Sequence, residues 1–278
     1  MVIAVSAVAL AAIALAALVL WRRADARADE AVWRDLARSD RRQRSVFDPE
    51  SVAGLPEPAR RYFLHTLSPG APLARVVEIT MRGEIAMGGK SAPRYRPMRA
   101  SQILAPPHGL VWRVESGALS GADAVSEATS WTRFRLFGLV PAVRAGGNAD
   151  HHRSAMGRVV AEAAIWAPAA LLPGPGVHWE PAGEDTARVT LRAGGFDHTM
   201  DITVAEDGRP TRIVLQRWST ENADKTWRLQ PFGGDLSEFR DFDGTRLPTH
   251  VEGGNLIGTE NYFPFYRADV EEIRFVEG

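Results

Sequence analysis

RVTLRAGGFDHTMDITVAEDGRPTRIVLQRW, residues Arg188–Trp218, decides the fold. Arg188–Arg192, Phe196–Val204 and Arg212–Trp218 read as strands, joined by Gly194-Gly195 and by Asp207-Gly208, two of the stronger turn signals a sequence can carry. Such short links make successive strands antiparallel neighbours, so the stretch reads as a meander and not as a parallel sheet. Working outward, the same period of two begins at Arg75, where Val77, Ile79 and Met81 alternate with Val76, Glu78, Thr80 and Arg82. Ser101–Ala105 and Leu110–Ser116 flank Pro106-Pro107-His108-Gly109, a hairpin signature. Leu236–Phe242 turns through Asp243-Gly244 into Thr245–Val251, and Val270–Val276 supplies a last strand.

Helical spacing interrupts this pattern. Phe47-Asp48-Pro49-Glu50 reads as a capped helix start, and Pro58 restarts a helix whose apolar face is Ala59, Tyr62, Phe63 and Leu67, stopped by Ser68-Pro69-Gly70. Asn148 or Asp150 caps a longer helix in which Met156, Val159, Val160, Ala163 and Trp166 recur, with Pro168 after its end. A large antiparallel sheet with one amphipathic helix buries both apolar faces if the sheet curls around the helix. The expected fold is therefore α+β: a strongly curved antiparallel sheet, or half-barrel, with the amphipathic helix on its concave face.

An N-terminal transmembrane helix is expected to precede this domain. Val2–Trp21 is apolar with one serine, and 20 residues of helix rise about 30 Å, the thickness of a bilayer's hydrocarbon core. A cleaved signal peptide would carry a basic start; here the arginines follow the run, and Ala24-Asp25-Ala26 lies beyond two of them, so an uncleaved anchor is expected. Arg22, Arg23, Arg27, Arg34, Arg38, Arg41, Arg42 and Arg44 flank it, interleaved with Asp25, Asp29, Glu30, Asp35 and Asp40. By the positive-inside tendency these arginines favour a cytoplasmic domain. The expected organisation is an anchor at 2–21, a basic helical stalk or linker at 22–46, with Val32, Trp33 and Leu36 on one face, and a single β-rich domain at 47–278.

Composition adds exclusions. Charged residues make up 24% of the 278 and the net charge is −1, which favours no nucleic-acid partner. Without cysteine there is no disulfide, thiolate metal site or lipobox acylation. His151-His152 are adjacent, so they point in different directions on a helix and do not form the i,i+4 pair favoured by zinc; no metal and no cofactor are expected. In the strand from Phe196, Asp197, Thr199 and Asp201 share one face and His198 lies opposite. Two carboxylates on a strand face could serve acid/base or hard-cation chemistry, although an exposed sheet face explains them more simply. Glu162 stands in the apolar helix one turn after Arg158, either as a buried acid or, the favoured reading, as half of a surface pair. No Walker loop, dinucleotide fingerprint, Gly-x-Ser-x-Gly elbow or His-Glu-x-x-His is present, which makes an enzyme the lesser reading.

Four stretches carry a resemblance: Leu55–Phe63 (LPEPARRYF), Gly109–Trp112 (GLVW), Glu162–Leu172 (EAAIWAPAALL) with Trp179-Glu180, and Phe242–Pro248 (FDGTRLP). In this order, across most of 47–276, the chain resembles a family of uncharacterised bacterial single-pass membrane-anchored proteins. The resemblance implies one anchor and one domain and brings no activity. Asp243–Pro248 is also similar to a late strand of periplasmic and outer-membrane lipoprotein carriers, half-barrels that cradle acyl chains. That likeness implies an extracytoplasmic domain, against the arginines.

The expected function follows from the aromatic supply. A curled sheet not completely filled by one helix leaves an apolar cavity, and Trp112, Trp131 and Trp166 are the candidate lining. Arg158, Glu162, Asp197 and Asp201 are the polar residues to inspect. The expectation is a non-catalytic, membrane-anchored domain that binds an apolar ligand, lipid or lipid-linked, with the bilayer as partner through residues 2–21. The alternative is a structural or protein-interaction module at the membrane.

Overall fold

A computed structural model describes residues 2–39 and 45–276; Asp40, Arg41, Arg42 and Arg44 of the basic flank lie outside the described residues. Helix α1 (Val2–Ala37) is followed by a 3₁₀ turn at Pro49–Val52 and by α2 (Glu57–Thr66). The first half of the sheet comprises β1 (Val77–Met87), β2 (Arg94–Ala105), β3 (Gly109–Ser116), β4 (Leu119–Val125), β5 (Ser130–Leu136) and β6 (Val140–Gly146). After α3 (Ala149–Trp166) come β7 (Val177–Pro181), β8 (Thr186–Ala193), β9 (Phe196–Val204), β10 (Pro210–Ser219), β11 (Arg228–Phe242), β12 (Thr245–Asn255) and β13 (Tyr266–Phe275).

The strands form one antiparallel sheet in the order β6-β5-β4-β3-β2-β1-β13-β12-β11-β10-β9-β8-β7, which is not closed. One meander runs from centre to edge, β1 to β6, and the other from edge to centre, β7 to β13; they meet where β1 pairs with β13, from Val77 opposite Phe275 to Ile85 opposite Tyr266. Between β6 and β7, the two edges, the chain crosses the concave face as α3. Asn148 caps that helix, its side chain accepting from the His151 amide, while Asp150 accepts from the Trp218 indole at 2.8 Å. Near Asp48 the expected helix start makes only the single 3₁₀ turn, because Pro56 and Pro58 restart the chain within a few residues.

Period two distributes the side chains between two cores. On the concave side Val77, Ile79 and Met81 of β1, Leu110, Trp112 and Val114 of β3, and Met200 and Ile202 of β9 pack with Met156, Val159, Val160 and Trp166 of α3. One residue out of phase, Ile103 and Ala105 of β2, Val111 of β3, Ala124 of β4 and Trp131 of β5 face outward and are covered by Val32, Trp33 and Leu36 of α1. This second core explains why β2 and β3 are buried on both faces, as near-continuous apolar strands must be.

At the end of the interior where β7–β8 and β9–β10 turn, the packing is solid. Tyr62 and Phe63 of α2 meet Trp179 of β7 tilted and edge-on, with ring centroids 6.4 and 5.5 Å away. Tyr62 Oη donates to the Ala164 carbonyl at 2.9 Å and Trp179 Nε1 to that of Leu171 at 2.9 Å, so each buried polar tip has a partner. Arg61 ties α2 to the adjacent turns through Asp185 at 2.7 Å and the Ala205 carbonyl at 3.0 Å.

Candidate apolar-ligand cavity

The opposite end of the interior is hollow. A cavity of about 260 Å³ lies between α3 and the sheet, lined by residues of β1, β3–β5 and β10–β13 and by the Phe265 that precedes β13. Its apolar wall is Ile85, Trp112, Phe134, Trp166, Phe232 and Phe265, with Ala161 and Ile165 of α3 as the roof. Gly233 and Gly234 of β11 and Gly253 of β12 also border it. A Cβ on Gly233 would meet the Ile213 carbonyl at 1.9 Å, so the close approach of β10 and β11 excludes any side chain there.

One corner is polar. Arg158 donates from Nε to Glu162 at 2.5 Å, from Nη2 to Gln102 at 3.2 Å and from Nη1 to Asp123 at 3.3 Å, and Gln102 donates to Glu162 at 2.5 Å. Glu162 is 8% exposed, so this is a buried network and not the expected surface pair. The reason is the curl of the sheet, which brings β2 and β4 over the face of α3 that an isolated helix would show to water. Burial works against the charge of Arg158, yet Glu162 and Asp123 outweigh it and hold its pKa above the usual value. Arg217 stacks over Phe232 at 4.6 Å and donates to the Ser154 carbonyl at 3.1 Å. Burial, reinforced by the charge of Arg158, pushes its pKa down to about 10. Two guanidinium groups and two carboxylates leave the corner neutral. Asp123 Oδ1 and Trp112 Nε1 are buried without a hydrogen-bond partner.

Trp112, Trp166, Arg158 and Glu162 thus come together around one cavity. Trp131 does not: it is on the opposite parity of β5, facing α1, where its indole donates to Asp29 at 2.8 Å. Asp197 and Asp201 lie on the outer face of β9 in cross-strand pairs with Arg192 and Arg188, at 3.1 and 2.7 Å. Thr190–Thr199 and Thr186–Thr203 contacts continue the same ladder, a solvated sheet face. His151 and His152 are spent on packing: His151 bonds Ser130 and Thr132, and His152 the Ser126 carbonyl, which pins the start of α3 to β5. Among the described residues no three of His, Cys, Asp and Glu are grouped to hold a metal.

Several residues of the wall and of the network at its polar corner escape a reading of the chain. Phe134 lies in 119–146, where β4, β5 and β6 show no clean alternation. Gln102, Asp123 and Arg217 are scattered over three strands that only the curl brings together. The doubled glycines at 233–234 and 253–254 are the signal that was available, since paired glycines in a strand mark close backbone approach.

Fold and cavity define the class: a strongly curved antiparallel half-barrel, one helix across its concave face, and an apolar hollow beneath that helix. Residues 45–268 match the model of the family of unknown function DUF6544, and the chain belongs to that family. No curated protein matches the sequence. Among solved structures, a LolA superfamily protein from Nitrosomonas europaea is similar at TM-score 0.41 and 10% identity, covering 72% of this chain and 86% of that one. A putative outer membrane lipoprotein-sorting protein domain from Vibrio parahaemolyticus gives 0.39 and 9%, over 73% and 86%. A DUF1329 family protein from Desulfovibrio piger gives 0.40 and 10%, over 73% and 86%.

Proposed function

We propose that this chain is a membrane-tethered, non-catalytic binding domain for an apolar ligand, a lipid or lipid-linked molecule, held between the sheet and α3. The cavity carries the reading. Its walls are mainly aromatic and aliphatic, and the charges at its polar corner balance one another, so the site makes no demand for an ion. Asp123 Oδ1 and the Trp112 indole are left to hydrogen-bond a polar group at one end of such a ligand. At about 260 Å³ the hollow is just below the range of about 300–1000 Å³ usual for ligand pockets, so it suits a segment of chain and not a whole lipid.

The tether is the apolar half of α1. Among the described residues α1 is the one helix long and apolar enough to cross a membrane, and its apolar window makes no contact that buries it. A retained anchor of this kind would hold the cavity beside lipid. The experiment is native mass spectrometry of the full chain extracted from its own membranes, wild type against Ala161→Leu, which fills the roof of the cavity. Wild type is expected to carry a lipid and the variant to lose it while its Tm stays within a few degrees. A wild-type protein that carries no lipid defeats the proposal.

A further inference from the structure

The end of the sheet that holds the cavity also carries its most exposed apolar residues. In the β5–β6 hairpin Leu136, Phe137, Val140 and Val143 are 42%, 82%, 48% and 45% exposed. Phe137 has φ +52°, a conformation that bulky residues rarely adopt, and nothing in the domain covers its ring. A cluster of this kind on one hairpin is a liability in water and marks an interaction surface.

Its position relative to α1 identifies the partner. Asp25 of α1 is held by three arginines of this hairpin, Arg135, Arg144 at 2.6 Å and Arg133 at 3.3 Å. Farther along the helix, Asp29 accepts from Trp131, Glu30 pairs with Arg113 at 3.0 Å and Trp33 donates to Glu78 at 2.8 Å. From Asp25 onward α1 therefore follows the convex face, and before Trp21 it runs off the sheet past the hairpin. Trp21 lies against the Arg144 guanidinium at 4.5 Å, and a Cβ on Gly138 would sit 3.9 Å from that of Arg22. The turn is thus level with the junction where the apolar run ends and the arginines begin. Arg22, Arg23 and Arg27 at that junction have no carboxylate within 4 Å among the described residues.

We propose that the tip of the β5–β6 hairpin is a second membrane contact, inserting Leu136, Phe137, Val140 and Val143 into an anionic lipid leaflet beside the point where α1 leaves it. The inference rests on α1 being a retained span. Aromatic and aliphatic side chains at the acyl boundary, with arginines at the height of the phosphates, form the usual pattern of an interfacial contact. Phe134 of the cavity wall precedes Leu136 by two residues, so the contact sets the hollow end of the domain against the leaflet.

The chain has no cysteine, so single cysteines carrying an environment-sensitive fluorophore report without ambiguity. The full chain is reconstituted in vesicles of phosphatidylcholine and phosphatidylglycerol containing a lipid with a nitroxide high on its acyl chain. Probes are placed by Leu15→Cys in the span, Phe137→Cys in the turn and Glu184→Cys in the β7–β8 turn at the far end. Quenching at 137 is expected to exceed that at 184 by at least about threefold, as for a side chain at the acyl boundary, and to fall when phosphatidylglycerol is omitted. Quenching at 15 with none above background at 137 overturns the hairpin contact and leaves the anchor standing. No quenching at 15 overturns the anchor, and the hairpin contact with it. Equal quenching at 137 without phosphatidylglycerol overturns the anionic preference.

Discussion

The two ends of the half-barrel interior are built from the same strands and finished differently. At the α2 end, Tyr62, Phe63 and Trp179 fill the space between α3 and the sheet, and the Tyr62 hydroxyl and the Trp179 indole both have partners. At the other end, Gly233, Gly234 and Gly253 of β11 and β12 border a space that the side chains of the wall do not fill, and a hollow remains. A packed core contributes to stability, whereas an apolar cavity forgoes the contacts its lining would otherwise make. The packed end ties α3 to α2 through Tyr62 and the Ala164 carbonyl, and the hollow lies under the same helix at its other side.

This contrast can be broken by substitution. Phe63→Ala at the packed end should cost about 3–5 kcal/mol in denaturant unfolding, the cavity-plus-transfer cost of a fully buried aromatic. A loss below about 1 kcal/mol would mean that this end is not the cornerstone. Acid should act where β9 packs under the first half of α3. His198 of β9 is buried, and desolvation, reinforced by the Arg153 charge, pushes its pKa down to about 4 despite a backbone hydrogen bond to Ala193. The folded state keeps it neutral while the unfolded chain binds a proton near pH 6.5, so its contribution is complete above pH 6.5 and lost as the pH falls toward 4. From that difference the loss is up to about 3 kcal/mol, and His198→Gln should flatten this part of the stability–pH curve. An unchanged slope in the variant would count against a buried neutral imidazole.

Smaller effects sharpen the comparison. Tyr62→Phe keeps the ring and leaves the Ala164 carbonyl without its donor, for an expected cost of about 1–2 kcal/mol. Phe232→Ala, in the cavity wall, removes a ring that already faces empty space on one side and should cost less than about 1.5 kcal/mol while abolishing lipid copurification. If Phe232→Ala were as damaging as Phe63→Ala, the hollow end would be a core like any other.

Local pattern reached most of the fold. The strands from Arg188 to Trp218, the hairpins at Pro106–Gly109 and Asp243-Gly244, and the helix ending at Trp166 all carry period and punctuation together. Strands β4, β5 and β6 carry neither cleanly, because β5 alternates Trp131, Arg133 and Arg135 toward α1 with Ser130, Thr132 and Phe134 toward α3, so both faces mix polar and apolar residues. The site was half legible. Trp112, Trp166, Arg158 and Glu162 stood out by type and place, but whether the Arg158–Glu162 pair meets water depends on β2 and β4, far away in sequence. Trp131 looked like Trp112, and only its parity relative to α1 separates them.

The chain by itself determined its elements, their antiparallel order and the apolar reach of its first helix, since each depends on residues a few positions apart. Which end of the interior is filled, which tryptophans share a wall, and that Asp25 of α1 is clamped beside an apolar turn were decided only in three dimensions. Those features arise from the curl of thirteen strands about one helix, which joins residues as distant as Gln102 and Glu162, or Asp25 and Arg144, with no trace in local spacing.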